Sequence, residues 1–508
     1  MAMVAKIKTV SFRGIDVLPV DVEVTIASGL PAFTIVGLPD KAVGESKERV
    51  RSALHAMGLS LPPKRITVNL APADVTKEGS HYDLPIALAL LTAMDVIPSD
   101  ALDNYIALGE MGLDAGLRRI SGVLPAAMFA VEHDFGLICP STCVAEASWS
   151  GSDRILAPQN VLQLINHLKG TQIIEENVKT QHLSSKIEAI YTKDMRDIKG
   201  QETAKRALEI AAAGRHNLVM CGQPGAGKSM LAERLPSILP DLNAKDALEI
   251  SMIHSLAGTL PEGGLIAARP FRNPHHSASL PALVGGGTRA KPGEISMAHK
   301  GVLFLDELPE FNRATLESLR QPMETREAVI ARVQSRAVYP ADFQLIAAMN
   351  PCRCGYLGDT ERECTRAPKC GVDYQSKISG PFMDRIDLFV DIPPVAVSDL
   401  RRDADGESSV SIKSRIERAH DIQGVRNGVG RLNALLTPED IDRFCTMDHE
   451  TSSFFDKAIE SMKLSARGYY RVLKVARTIA DLDGGADMLS KSHVAEALSF
   501  RPRIYLNT

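Results

Sequence analysis

The segment from Gly222 to Ser229 has residue types that could bind the phosphates of a nucleotide. Its sequence, GQPGAGKS, has the spacing G-x-x-x-x-G-K-S. Small residues let consecutive backbone N–H groups turn toward phosphate oxygens, and a helix beginning near Lys228 would direct the positive end of its dipole at the same anion. Lys228 could reach the β- and γ-phosphates, and the Ser229 hydroxyl could ligate Mg²⁺. The candidate nucleotide-binding residues are Gly222, Gln223, Pro224, Gly225, Ala226, Gly227, Lys228 and Ser229.

Polar side chains that could act on a bound nucleotide follow two apolar runs. Asp306 and Glu307 come directly after VLFL, and Asn350 ends the run FQLIAAMN. Asp306 could hold the Mg²⁺ that Ser229 also touches, and Glu307 could polarise an attacking water. Asn350 could position the γ-phosphate or that water. The alternatives are an acidic helix N-terminus for the two carboxylates and a turn cap for the amide.

The elements around these residues must bring them together. The apolar run HNLVMC before the glycine-rich segment is typical of a strand, and SMLAERLPSIL after it has helical spacing. This setting favours a phosphate loop over a glycine-rich turn without a ligand. Between residues 196 and 395 strands alternate with helices, which predicts a parallel sheet covered on both faces.

Four cysteines follow Asn350 closely and could ligate a metal. Cys352, Cys354, Cys364 and Cys370 fall within nineteen residues. In a reducing compartment such a cluster predicts a metal site before it predicts disulfides, and four thiolates would suit tetrahedral Zn²⁺. Reduced, exposed thiols are the alternative. We expect a zinc loop over residues 351–371.

Length and composition limit the class of protein. The 508 residues are too many for one core and predict about three domains. The sequence has 44% hydrophobic and 24% charged residues, with neither a run of about 20 apolar residues nor an N-terminal leader, which predicts a cytoplasmic protein without a membrane contact. The net charge of −4 does not favour nucleic acid overall, so any DNA contact must come from local basic surfaces.

Changes in composition along the chain divide it into segments. We predict a mixed strand and helix domain over residues 1–170, a polar linker over 171–195, the nucleotide-binding domain over 196–395 and a helical domain over 396–508.

The nucleotide motifs resemble those of AAA+ ATPases, and the resemblance implies further site residues. Arg385 in GPFMDRIDLFV matches the arginine finger of that family, and Arg467 in LSARGYYRVLK matches its second sensor in a helical lid. Ile198, Gly200 and Gln201 match its adenine-side segment. Insertions before Asp306 and before Asn350 resemble those of the magnesium-chelatase and replicative-helicase branch, where they project into the channel of a hexameric ring.

The resemblance becomes closer over the whole chain. GLPDKAVGESKERVRSAL, FRNPHHSASLPALVGGG and AAMNPCRCGY occur in the order seen in the ComM/YifB family. That family implies a hexameric, ATP- and Mg²⁺-dependent helicase that drives branch migration of DNA during natural transformation, with recombination proteins as partners. Single-stranded, duplex or branched DNA would be contacted by the basic and histidine residues of the insertions: Arg269, Arg272, His275, His276, Arg332 and Arg336.

The first 170 residues resemble the Lon protease domain but lack its catalytic pair. Ser80 in EGSHYDLP has neither the usual flanks of that nucleophile nor a lysine base, because the matching position is near Leu124. A serine hydroxyl without an activating base is a poor nucleophile. We therefore expect a non-proteolytic binding or ring-organising domain. The predicted fold class is α/β, with a parallel-sheet AAA+ core and helical lid preceded by an α+β Lon-like domain.

Two other functions fit part of these observations. A protein-remodelling or metal-chelatase motor would share the middle domain and its insertions, although the magnesium-chelatase ATPase subunit lacks the Lon-like domain. A non-catalytic DNA-binding scaffold would not need Lys228, Asp306 and Glu307.

Overall fold

The computed structural model describes residues 4–174, 191–261, 263–287, 290–331, 336–358, 364, 366–395 and 406–502. Most of the predicted linker lies outside the described residues. The predicted DNA contact Arg332, in the later hairpin segment, also lies outside them. Within the described ranges, no helix is both long and apolar enough to span a bilayer.

The strands are numbered in chain order. They are β1 (Val4–Arg13), β2 (Asp16–Ala27), β3 (Ala32–Val36), β4 (Arg65–Ala71), β5 (Tyr105–Ala107), β6 (Glu110–Met111), β7 (Leu117–Arg118), β8 (Gly136–Ile138), β9 (Ile155–Leu156), β10 (Leu218–Gly222), β11 (Phe271–Arg272), β12 (Gly285–Gly286), β13 (Lys291–Pro292), β14 (Val302–Leu305), β15 (Glu327–Ala331), β16 (Arg336–Pro340), β17 (Gln344–Met349) and β18 (Leu388–Ile392).

The helices of the described residues are numbered in the same way. They are α1 (Lys41–Ala56), α2 (Asp83–Ala93), α3 (Val123–Glu132), α4 (Val144–Ala147), α5 (Val161–Leu168), α6 (Glu202–Gly214), α7 (Lys228–Ala232), α8 (Leu235–Ile238), α9 (Ala244–Ala257), α10 (Leu280–Val284), α11 (Glu294–Met297), α12 (Arg313–Ser318), α13 (Arg320–Thr325), α14 (Lys369–Gln375), α15 (Gly380–Met383), α16 (Ser409–Asn427), α17 (Pro438–Phe444), α18 (His449–Met462), α19 (Ala466–Leu482) and α20 (Lys491–Ser499).

The N-terminal domain is built on a seven-stranded mixed sheet in the order β3-β4-β2-β1-β5-β8-β9. Strand β4 alternates buried residues (Ile66, Val68, Leu70) with partly exposed ones, as expected of a strand with one face on the core. Helix α2 packs on β1 and β2 and is buried from Asp83 to Thr92, which explains why its sequence is apolar on all sides.

The nucleotide-binding domain contains a five-stranded parallel sheet in the order β11-β14-β17-β10-β18. Alternate residues of its strands enter different cores: Val302 and Phe304 belong to one apolar cluster, and Leu303 and Leu305 belong to another. Central strands buried on both faces therefore account for the continuous apolar runs in the sequence. The carboxyl ends of β10, β14 and β17 lie at one edge of the sheet.

The C-terminal helices share a core with one face of this sheet. Helices α16 and α19 both pack on α6, and residues of β10 and α19 belong to the same apolar cluster. Arg477 of α19 is buried and pairs with Asp481 one turn later, at 2.9 Å. The α/β fold class is confirmed: a parallel-sheet core of AAA+ type carries a helical lid and follows an α/β domain.

The hairpin β15–β16 contacts the N-terminal domain. The turn between β1 and β2 meets β16, where the Ile15 N–H donates to the Val338 carbonyl at 3.4 Å. A Cβ at Gly14 would lie 2.3 Å from the same carbonyl oxygen, so only glycine fits this contact. The predicted channel insertion is thus packed against the N-terminal domain at the middle of β16.

Candidate nucleotide site

The phosphate loop connects β10 to α7 at the carboxyl edge of the parallel sheet. Gly225 and Gly227 have positive φ angles of 78° and 89°, a conformation that glycine adopts without strain. A Cβ at Gly222 would lie 2.5 Å from the carbonyl oxygen of Ile392 on the neighbouring strand. The glycine spacing read in the sequence therefore matches the backbone turns and close approach that the loop needs.

The Lys228 ammonium lies within the loop and reaches the end of the neighbouring strand. It donates to the carbonyl oxygens of Gly222 and Gln223 at 2.7 and 2.9 Å, and to the Asn350 side chain at 3.1 Å. Burial lowers the pKa of Lys228 below its ordinary value, while the carboxylate of Asp306 acts in the opposite direction. The structure thus brings Lys228 and Asn350 together across strands β10 and β17.

Ser229 and Asp306 form the oxygen pair that the sequence predicted. The Ser229 hydroxyl donates to the Asp306 carboxylate at 2.8 Å, and the other oxygen of Asp306 accepts the Glu307 backbone N–H at 2.8 Å. Glu307 has a positive φ of 52°, which is uncommon for a residue with a side chain. A hydroxyl and a carboxylate at this distance are ligands of the type that Mg²⁺ prefers.

Glu307 also meets a residue that was predicted to contact DNA. His276 Nδ1 lies 3.2 Å from Glu307 Oε2, and the His276 ring packs against His275 with centroids 4.1 Å apart. His275 Nδ1 in turn lies 2.7 Å from the Ser277 hydroxyl. The structure therefore places His276 against the candidate catalytic carboxylate.

The predicted adenine-side segment lies beside the phosphate loop. Ile198 is buried, Gly200 has a positive φ of 63°, and Gln201 Nε2 donates to the Pro393 carbonyl at 2.6 Å and lies 3.5 Å from the Ala226 carbonyl. The side-chain oxygen of Gln201 is buried and has no hydrogen-bond partner among the described residues. It is an unused acceptor beside the phosphate loop.

Arg385 and Arg467 lie at the amino-terminal ends of the parallel strands, opposite to the carboxyl ends where the phosphate loop lies. Arg385 precedes β18, whose last residue pairs with Gly222, and a five-residue strand spans about 16 Å. Arg385 donates to Glu324 at 2.5 Å, and Arg467 lies 3.6 Å from Asp384. The structure brings these two arginines together but not to the phosphate loop of their own chain.

Both arginines line a basic cleft of about 310 Å³. Its wall includes Arg471 and Lys474, which share a face of α19 with Arg467 because they follow it by four and seven residues. Burial acts to raise the pKa of Asp387, yet Arg471, 2.6 Å away, and His216 hold it well below its ordinary value. The sequence prediction missed Arg471 and Lys474, although their helical spacing was a usable signal.

The other residues predicted to contact DNA have different surroundings. Arg269 donates to the carbonyl oxygens of Pro240 and Lys300, both at 2.7 Å, so its guanidinium is occupied inside the domain. Arg272 makes a two-point contact with Glu294 at 2.6 and 2.8 Å. Arg336 is exposed and lines a cavity of about 600 Å³ between the hairpin and the N-terminal domain. Arg269 and Arg272 are thus engaged by partners within the protein and do not present free guanidinium groups to DNA.

Three of the four clustered cysteines present their sulfurs to one another. The Sγ atoms of Cys352, Cys364 and Cys370 all lie within 4.8 Å of one another, and the Cys354 sulfur lies 3.2 Å from that of Cys352. Cys352 is buried, and Cys354 is exposed. A tetrahedral Zn²⁺ with Zn–S bonds of about 2.3 Å would hold its sulfurs about 3.8 Å apart.

In the N-terminal domain, Ser80 contacts a carboxylate. Its hydroxyl donates to Glu110, while Leu124 lies in the first turn of α3, where its N–H donates to Glu146 at 2.9 Å. The absence of a lysine at Leu124 leaves the non-proteolytic role of this domain as a prediction.

Comparisons with known proteins cover nearly the whole chain. The family described as magnesium chelatase, subunit ChlI, matches residues 194–400; a second ChlI family matches residues 22–142, and the ChlI C-terminal family matches residues 406–501. Competence protein ComM of Haemophilus influenzae is 42% identical over 501 residues, covering 97% of this chain and 96% of that protein. YifB of Escherichia coli, whose role is uncharacterised, is 42% identical over 489 residues, covering 96% and 95% of the two chains.

A more distant match separates this chain from the chelatases themselves. The 67 kDa magnesium-chelatase subunit of Chlorobaculum parvum is 28% identical over 158 residues, which is 30% of this chain and 23% of that subunit. Full-length similarity at 42% identity therefore joins the chain to ComM and YifB, and the family matches join it to the chelatase type of AAA+ ATPase. This protein belongs to the ComM/YifB family of magnesium-chelatase-like AAA+ ATPases.

Proposed function

We propose that this protein is an Mg²⁺-dependent ATPase that works as a hexameric ring on DNA and promotes branch migration during homologous recombination. The observation that carries the ATPase part is the Ser229–Asp306 pair at 2.8 Å, beside a lysine that spans the phosphate loop and Asn350. Hydroxyl, carboxylate, ammonium and amide groups meet at one edge of the sheet, as phosphoryl transfer requires.

The residues of this site fit a magnesium nucleotide. An added Cβ at Gly225 or Gly227 would meet nothing within 4 Å, so the backbone at these glycines is open to approach by a ligand. The unpartnered oxygen of Gln201 could accept a hydrogen from the base. Bound Mg²⁺ would neutralise charge on the β- and γ-phosphates, and Ser229 and Asp306 would hold it. Lys228 would bind phosphate, Asn350 would orient the attacking water, and Glu307 would polarise it.

The position of Arg385 favours sites shared between subunits. Because Arg385 and Arg467 lie a strand's length from their own phosphate loop, a contact with a γ-phosphate requires a neighbouring chain. The planar guanidinium suits phosphate oxygens, and a ring of identical subunits would present this basic cleft to each neighbour's nucleotide. Both arginines would then act in the adjacent site.

The DNA part of the proposal rests on the relatives and on the insertions. A full-length relative carries the name competence protein, which favours a role connected with DNA. Exposed Arg336 on β16, together with His275, would meet the phosphate backbone. The alternative is a protein-remodelling or metal-chelatase motor, for which the matching subunit covers only 30% of the chain.

One assay separates these functions. ATP hydrolysis would be measured without DNA, with single-stranded DNA and with a four-way junction, using Lys228→Ala as the inactive control. We expect hydrolysis that depends on Mg²⁺ and is stimulated by DNA, most strongly by the junction. Hydrolysis that DNA leaves unchanged would favour the protein-remodelling motor, and no hydrolysis above Lys228→Ala would favour a non-catalytic scaffold.

The four-cysteine loop is included in the proposal as a Zn²⁺ site. Three sulfurs within 4.8 Å of one another, with that of Cys354 3.2 Å from the buried Cys352, suit a closed tetrahedral site. Elemental analysis of protein purified without added metal should find close to one zinc per chain, and Cys352→Ser should lower this content.

A further inference from the structure

The four-cysteine cluster lies directly beside the nucleotide site. Asn350, whose side chain accepts from Lys228, is followed by Pro351 and then by Cys352, whose side chain is fully buried. The first metal ligand is therefore two residues from a group that touches the phosphate-binding lysine. A change in the position of Cys352 would be transmitted through one proline to Asn350.

The cysteine loop also packs on the phosphate loop itself. A Cβ at Gly355 would lie 2.5 Å from Cδ and 2.7 Å from Cγ of Pro224, so the Gly355 backbone is in close contact with the Pro224 ring. The Gly355 N–H donates to the Cys352 carbonyl at 3.0 Å, which joins this contact to the cysteine cluster. Pro224 lies within the predicted nucleotide-binding residues.

A third connection leads from the cluster to the segment that follows Glu307. Cys370 lies in α14, whose Gln375 donates to the Pro351 carbonyl at 3.0 Å. Two residues beyond α14, Lys377 lies 3.3 Å from Glu310, in the turn that follows Glu307. The cluster is thus tied to the phosphate loop, to Asn350 and to the carboxylate segment.

We propose that a metal ion held by the four cysteines braces Gly355 against Pro224 and thereby sets the affinity of the phosphate loop for nucleotide. This inference rests on the proposed nucleotide and zinc sites. A polar loop has little apolar surface to hold it in place, and metal binding supplies folding free energy to such segments. Without the metal, the loop would lose its cross-link, and the contact with Pro224 would loosen. The metal is structural and takes no part in hydrolysis.

Selective removal of zinc tests this bracing. The full-length protein, as purified, would be treated with a zinc-selective chelator while Mg²⁺ is kept in excess. Metal content would be measured by elemental analysis and nucleotide affinity by fluorescence of a labelled ADP. We expect affinity to fall about tenfold, equivalent to about 1.4 kcal/mol, and to return when Zn²⁺ is restored. Hydrogen exchange should become faster at the amides of residues 222–229, which reports on the loop without any turnover.

Two glycine variants separate the contact from general damage to the loop. Gly355→Ala adds a Cβ that overlaps Pro224, whereas Gly358→Ala adds one that meets nothing within 4 Å. Their φ angles are 87° and 81°, so the backbone strain of the two substitutions is matched. We expect both variants to keep their zinc and only Gly355→Ala to lose nucleotide affinity, by about tenfold.

The outcomes separate the proposals from one another. A chain purified without zinc would overturn the metal site and the bracing, while ATP hydrolysis above Lys228→Ala would leave the ATPase proposal standing. A zinc-loaded chain whose nucleotide affinity and hydrogen exchange are unchanged after zinc removal would overturn the bracing alone. Equal affinities for Gly355→Ala and Gly358→Ala would also overturn it.

Discussion

His276 Nδ1 lies 3.2 Å from the Oε2 atom of Glu307, which joins the insertion after β11 to the candidate catalytic carboxylate. Glu307 is more than half exposed, and its backbone adopts the left-handed region. The His276 ring also packs against the ring of His275. A carboxylate oxygen that accepts a hydrogen bond is less able to polarise water, so this contact should restrain Glu307.

Removal of that contact should raise hydrolysis in the absence of DNA. We expect His276→Ala to increase basal turnover about fivefold, because the loss of one hydrogen bond of about 1 kcal/mol frees the carboxylate. Stimulation by DNA should shrink in proportion. His55→Ala, at an exposed position on α1, is the control and should keep the wild-type turnover. Basal turnover that stays at the wild-type rate in His276→Ala would show that the histidine does not restrain the site.

Substitutions at Lys228 and Glu307 should separate nucleotide binding from hydrolysis. Lys228→Ala removes the ammonium that spans Gly222, Gln223 and Asn350, so nucleotide affinity should fall below detection. Glu307→Gln keeps the size of the side chain but removes the carboxylate, so ATP should bind while turnover falls by about 10²–10⁴-fold. Binding would be measured by fluorescence of labelled nucleotide and turnover by phosphate release. Near-normal turnover in both variants would contradict the site.

The strands that carry the nucleotide-binding residues could be predicted from the sequence. The side-chain contacts around these residues could be predicted less completely. The apolar runs before Gly222, Asp306 and Asn350 indicated parallel strands, and parallel strands end at one edge, so the meeting of these residues followed from topology. The contacts of Arg269 were not predictable in that way, because its partners are the carbonyl oxygens of Pro240 and Lys300, which lie 29 and 31 residues away in the chain.

The resemblance to a known family identified Arg385 and Arg467 as candidate site residues. Their position in the fold could be determined only from the structure. Only the strand pairing of β10 with β18 shows that Arg385 stands at the far edge from its own phosphate loop. The contact of His276 with Glu307 likewise depends on an insertion whose path has no periodic pattern. Local pattern thus predicts elements and their ends, and the path of loops decides which side chains meet.

Mixed rings should recover activity if sites are shared between subunits. Arg385→Ala and Lys228→Ala subunits each supply what the other lacks, so a mixture should hydrolyse ATP faster than either parent. Equal mixing should place a complete site at about a quarter of the interfaces. Ring size would be followed by light scattering. A mixture of Lys228→Ala with Glu307→Gln is the control, because both substitutions lie in the same half of the site and cannot complement each other. Assembled mixtures no more active than their parents would contradict shared sites.

Stability should fall between about pH 6.5 and pH 4 because of buried histidines. Burial lowers the pKa of His254 and of His420 to about 4. Within that window the unfolded chain binds protons that the folded chain does not, so acid favours unfolding by up to about 3 kcal/mol per histidine. Burial raises the pKa of Glu146, which acts in the opposite direction.

A substitution of His254 isolates its contribution to the pH dependence of stability. His254 contacts the Met297 carbonyl at 3.2 Å, and His254→Gln keeps a donor there but cannot be protonated. The free energy of unfolding, measured with guanidinium at pH 7.5 and pH 5, should fall less in this variant than in the wild type. His55→Gln, at an exposed position on α1, is the control and should keep the wild-type slope. Equal slopes in all three proteins would show that His254 does not couple stability to pH.

Arg336 should contribute to DNA affinity through a phosphate contact. It is exposed at the start of β16, beside the hairpin tip, and a phosphate contact gives affinity without base preference, as a motor that passes over any sequence requires. Loss of one such contact reduces the slope of log affinity against log salt by about 0.9 on duplex DNA. Arg336→Ala should show this smaller slope and weaker DNA stimulation of hydrolysis, whereas Arg51→Ala, whose arginine lies 3.6 Å from Glu48, should keep both. An unchanged slope would mean that Arg336 only lines the cavity beside the N-terminal domain, and the protein-remodelling motor would then be the better account of the hairpin.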